Sequence, residues 1–127
     1  MNLRSLWSDF RILSFAAAAV TGALCAVLLF VPGVIYWLFQ LDSGKDTDVV
    51  SRRAAMLFLG LAVICFQSRE SPDSAARRAI CLGMMVSMTG LATVGLYDFM
   101  RGAVGFGIWL AISVEMFFAT AFSRFSR

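Results

Sequence analysis

Charged residues cut the chain into four uncharged stretches, residues 12–41, 54–68, 79–97 and 102–123, with Glu115 the single interruption. About 20 consecutive apolar residues cross the hydrocarbon layer of a bilayer as a helix. The pattern therefore predicts an all-α membrane protein with transmembrane helices over about 12–31, 52–68, 79–97 and 103–123. The intervening segments are short, which predicts antiparallel neighbours in an up-down bundle. They leave no stretch able to bury a soluble core, so the whole chain, 1–127, is expected to be one transmembrane domain.

The first stretch is too long for one straight crossing. About 30 residues at 1.5 Å each make roughly 45 Å, against about 30 Å of hydrocarbon. Pro32 and Gly33 resolve the mismatch by breaking or kinking helix one, and Pro32 suits the first turn of a new short helix. Residues 33–41 then become an interfacial segment in which Tyr36 and Trp37 serve as aromatic anchors. A broken helix of this kind also lines transporter sites, a second reading of the same break.

Basic residues set the orientation. Arg4, Arg11, Arg69, Arg77, Arg78, Arg124 and Arg127 fall on the side of the termini and the middle loop, whereas Lys45, Arg52, Arg53 and Arg101 fall on the other side. The excess predicts a bacterial inner-membrane protein with both termini cytoplasmic. Trp7 is expected near the inner interface, and Tyr97 and Trp109 near the outer one.

Composition adds mainly exclusions. The chain is 60% hydrophobic and 15% charged, with a net charge of +3 carried at the ends of the apolar stretches. That distribution anchors helices and contacts membrane lipids, and it is not a nucleic-acid-binding stripe. There is no histidine, which removes the usual haem ligand, zinc ligand and general base. No phosphate loop or paired-carboxylate motif replaces them, so no enzymatic activity, metal or cofactor is expected. Cys25, Cys65 and Cys81 fall in three different stretches without a close pair and read as buried apolar side chains. Met84 and Met88 share a helical face at the spacing of a copper-thioether path, but read as core filling.

Glu115 stands out, because a carboxylate within a span is costly and usually faces protein or a water-filled cavity. Gly107, Ala111, Glu115, Ala119 and Ser123 recur every four residues, a small-residue ridge that lets another helix approach. Counting 1.5 Å per residue from the cytoplasmic ends places Ser87 and Thr21 at the depth of Glu115, with Gly60 in the same layer and Gly83 and Gly90 on the face of Ser87. Glu115, Ser87 and Thr21 thus form a candidate polar site. Gly60, Gly83, Gly90, Gly107, Ala111 and Ala119 are candidate helix-packing positions. Glu115 can be an interhelical hydrogen-bond donor, a proton site or a partner contact. Arg52, Arg53 and Asp98 are a candidate ion pair at the outer interface, with lipid-headgroup contact as the alternative.

Residues 30–42 (FVPGVIYWLFQLD), 51–66 (SRRAAMLFLGLAVICF) and 109–119 (WLAISVEMFFA) resemble a pattern in small bacterial four-helix membrane proteins of uncharacterised families. There, a proline-containing end of helix one precedes an Arg-led, Gly-containing helix two, and a glutamate lies in helix four. The resemblance implies the same four-helix fold and no defined activity. Two functions follow from the residues. One is an accessory or structural subunit that packs against a partner membrane subunit or a second copy. The other is a minimal proton-linked transporter or carrier using Glu115.

Overall fold

The computed structural model describes residues 3–127, with side chains described from Asp9 onward; the side chains of Arg4 and Trp7 lie outside the described residues. Five helices follow in order: α1 (Leu3–Phe30), α2 (Pro32–Phe39), α3 (Lys45–Ser68), α4 (Ala75–Met100) and α5 (Ile108–Ser123), with no strand among the described residues. Asp9–Phe30, α3 and α4 are each long and apolar enough to cross a membrane, which makes the chain a multi-pass membrane protein. Phe15, Leu57, Val63, Val86, Val94, Leu110 and Phe117 all point outward, the inversion expected of helices solvated by lipid.

The break at Pro32 occurs as the sequence predicts. Proline disfavours a helical residue before it, and Val31 leaves the helix at φ −138° and ψ 56°. Pro32 then opens α2, where its missing N–H costs nothing. A Schellman closure ends α2: the Leu41 N–H donates to the Tyr36 carbonyl at 2.8 Å and the Gln40 N–H to the Trp37 carbonyl at 3.3 Å. Gln40 takes the left-handed conformation there (φ 55°), at a cost of roughly 1–2 kcal/mol for a residue with a Cβ. Its side chain lies where a Cβ on Gly105 would be, and the Gly105 N–H donates to the Phe39 carbonyl at 2.8 Å. This contact seats α2 on the α4–α5 connection.

That seating corrects two expectations. Tyr36 is not an exposed anchor: it is buried, donates to Asp48 Oδ1 at 2.9 Å and shares a 2.8 Å hydrogen bond with Ser51 Oγ, whereas Trp37 is 79% exposed. The fourth apolar helix begins at Ile108, not near 103, because Gly102 (φ 75°) closes α4 and the segment to Gly107 runs beneath α2. A Cβ at Gly107 would strike the Leu38 carbonyl. The 16 residues of α5 make about 24 Å, short of a full hydrocarbon layer. The second apolar helix, by contrast, starts early at Lys45, with Asp46 and Asp48 favourably placed in its first turn.

The helices pack as two hairpins, α1 along α3 and α4 along α5, which touch each other more sparingly. Their junction is the main core: Phe10, Leu13 and Ala17 from α1, Cys65 from α3, Cys81, Met84 and Met88 from α4, and Phe118, Ala119 and Phe122 from α5. Toward the α2 end only Cys25, Leu28 and Ala55 are fully buried in a second cluster. The Tyr36 hydrogen bonds therefore carry much of the cohesion at that end. Tyr36→Phe should lower unfolding stability in mild detergent by about 1–3 kcal/mol, the worth of a hydrogen bond to a charged acceptor. Thermal denaturation checks this, and a Tm equal to the parent's would show that the hydroxyl is dispensable.

Candidate functional site

Thr21 and Glu115 lie on the wall of one small cavity. Both line a cavity of about 40 Å³ enclosed by Ala17, Val20, Leu24, Phe58, Met88, Leu91, Val114 and Phe118, so all four long helices contribute to its wall. The Thr21 hydroxyl donates to the Ala17 carbonyl one turn back at 2.7 Å, which commits its proton but leaves its oxygen free to accept. Glu115 is half-buried and has no ion-pair partner among the described residues. The volume exceeds the roughly 10–15 Å³ of probe-occupied space that one water molecule needs. Thr21 and Glu115 are the polar side chains in an otherwise apolar wall.

Ser87 and Gly60 do not join this layer. Ser87, Gly83 and Gly90 lie on the exposed face of α4, and Gly60 on the exposed face of α3. The buried side of α4 is instead Arg77, Cys81, Met84, Met88, Ala92 and Gly95. Equal depth places residues at one height, but only rotation about the helix axis decides which of them faces in. Here the methionines fill the interior volume and turn the small residues outward. On α5 the predicted ridge does face inward, with Ala119 buried and Gly107, Ala111, Glu115 and Ser123 half-buried.

The outer ion pair forms differently. Asp98 accepts from Arg101 Nε at 3.0 Å, three residues along the same helix end, while Arg52 and Arg53 are exposed and make no ion pair among the described residues. A local partner closes without ordering a second helix, and such exposed pairs contribute at most about 1 kcal/mol.

Two further constellations bring together residues that the sequence does not connect. Arg77 does not reach for lipid headgroups: it is 6% exposed, with its guanidinium carbon 4.0 Å from the Phe10 ring centroid and 5.2 Å from that of Phe125. Its Nε is buried without a hydrogen-bond partner among the described residues. One turn further along α4, Cys81 lies in the same buried cluster as Cys65, whose thiol donates to Met84 Sδ at 3.8 Å. The three- and four-residue spacing of Arg77, Cys81, Met84, Met88, Ala92 and Gly95 is the sequence signal for this inner face.

A membrane-permeant carbodiimide should modify Glu115 while an impermeant one leaves it intact, as read by peptide mass spectrometry. Equal labelling by both would put the carboxyl in open water instead of the enclosed cavity. Compared with known proteins, this chain matches no known family, no curated protein and no solved structure.

Proposed function

We propose that the protein is a non-enzymatic accessory or structural subunit of the bacterial inner membrane, of the small four-helix kind, whose outer α4 face receives a helix of a partner subunit or a second copy. In this reading α5 completes a fourth crossing, with Arg124 extending its short apolar length toward the headgroups, and both termini are cytoplasmic. The supporting observation is the open stripe along α4. Gly83, Ser87 and Gly90 are exposed at helical spacing, and a Cβ built on either glycine would meet nothing within 4 Å. Small residues that separate no helices within the fold leave backbone available for close approach from outside, where packing and interhelical hydrogen bonds drive association in lipid. Ser87 supplies a hydroxyl at the centre of that stripe.

A proton-linked carrier is the second reading, favoured by the convergence of Thr21 and Glu115 on one cavity. Its volume of about 40 Å³ is far below the roughly 300 Å³ at which small-molecule sites begin. A proton is the cargo that fits, and a Glu115 that shares this cavity with Thr21 serves equally as glue between the hairpins.

Native mass measurement on mildly solubilised protein discriminates the two. The parent should migrate as a complex of two or more chains, and the double variant Gly83→Leu, Gly90→Leu should revert to the single-chain mass with unchanged helical content. A parent that is already a single chain would discard the subunit reading and shift the weight to proton coupling at Glu115.

A further inference from the structure

We propose that Cys65, Cys81 and Met84 form a binding site for a monovalent soft metal ion, Cu(I), inside the helix junction, with Arg77 as its counter-charge. Cys65 Sγ of α3 lies 3.8 Å from Met84 Sδ of α4, and Cys81 stands one turn before Met84 on the same buried side of α4. Cys65 is 1% exposed, Cys81 0% and Met84 2%, and all belong to one buried cluster. Cys81 and Met84 are three residues apart on α4 and so share a face, and the Cys65 thiol of α3 is already directed at Met84 Sδ. Among the described residues no three His, Cys, Asp or Glu side chains gather. A site here must use the thioether, and thiolate with thioether is the donor set that selects Cu(I) over harder ions.

The geometry fits an ion between the sulfurs. Two sulfurs each about 2.3 Å from a trigonal three-sulfur centre stand about 4.0 Å apart, close to the 3.8 Å between Cys65 Sγ and Met84 Sδ. The metal takes the place of the thiol proton that now bridges that pair.

Charge supplies the second, independent argument. Arg77 is buried one turn before Cys81 on the same helix and its Nε has no partner among the described residues. A buried cation is expected to have an anion, and no carboxylate pairs with it among the described residues. Binding converts Cys65–SH, Cys81–SH and Cu⁺ into a dithiolate complex of charge −1 and releases two protons to the medium. No electron is transferred. The complex and the Arg77 guanidinium then sum to zero in a site that water does not reach. Cys25, in the other cluster, takes no part.

The test is titration of the intact protein in detergent or nanodiscs with Cu(I) under reducing conditions against a colorimetric Cu(I) chelator, with Ag(I) as a redox-inert probe. The expected result is one ion per chain with two protons released. Affinity should drop by more than about 100-fold in Cys65→Ser and Cys81→Ser, beyond the loss typical of an outer-shell change. It should weaken in Met84→Leu, which keeps the core volume, and stay unchanged in Cys25→Ser. Circular dichroism verifies that each variant is folded, and Met84→Leu is the deciding variant should a serine variant unfold. Failure to compete with the chelator, binding that survives Cys81→Ser, binding indifferent to Met84→Leu, or loss in Cys25→Ser would each overturn the proposal.

Discussion

The burial of Arg77 against Phe10 is the constraint on which the arrangement of the helices depends. The two hairpins are each internally well packed but meet over a limited area, and at that meeting point α4 sends a guanidinium into the interior. It lies 4.0 Å from the ring of Phe10 on α1 and 5.2 Å from Phe125 just beyond α5, and those two rings contact each other edge to face at 5.4 Å. A desolvated cation over an aromatic face contributes about 2 kcal/mol. That is large for one contact in a bundle whose helices gain nothing from simple hydrophobic exclusion within lipid. Phe10 is fully buried, so this wall is itself held in place.

From that joint the rest of the interior follows by helical geometry. Cys81, Met84 and Met88 continue the face of Arg77 and meet Cys65 and Phe118 in succession. One layer further, Met88 closes the wall of the cavity that holds Thr21 and Glu115. The opposite face of α4 consequently turns outward with its small residues. At the far end a separate set of polar contacts takes over: Tyr36 clamps α2 to Asp48 and Ser51, and Gly105 and Gly107 let the α4–α5 connection lie directly on α2.

Much of this is legible in the chain. The four apolar stretches, the break at Pro32 and the depth of Thr21 and Glu115 follow from lengths and from the backbone chemistry of proline, which tertiary context does not alter. Helix rotation is not legible, because Gly83, Ser87 and Gly90 satisfy a packing stripe as well as Cys81, Met84 and Met88 satisfy a core. The choice between them is made by volume at the junction. The place of Arg77 is hidden for a related reason: beside Arg78 and near a loop it has the signature of a headgroup contact, and only the aromatic residues at Phe10 and Phe125, distant in sequence, make an interior site for it. The convergence of Cys65 with Cys81 likewise depends on tertiary placement, since the two sit in different spans.

A double-mutant cycle on Arg77 and Phe10 tests the joint most directly. Unfolding free energies in mild detergent are measured for the parent, Arg77→Gln, Phe10→Leu and the double variant. A joint between the hairpins predicts a coupling of about 1–2 kcal/mol, with the double variant losing less than the sum of the single losses. Additivity within about 0.5 kcal/mol would contradict it, and would mean that the hairpins are held together elsewhere.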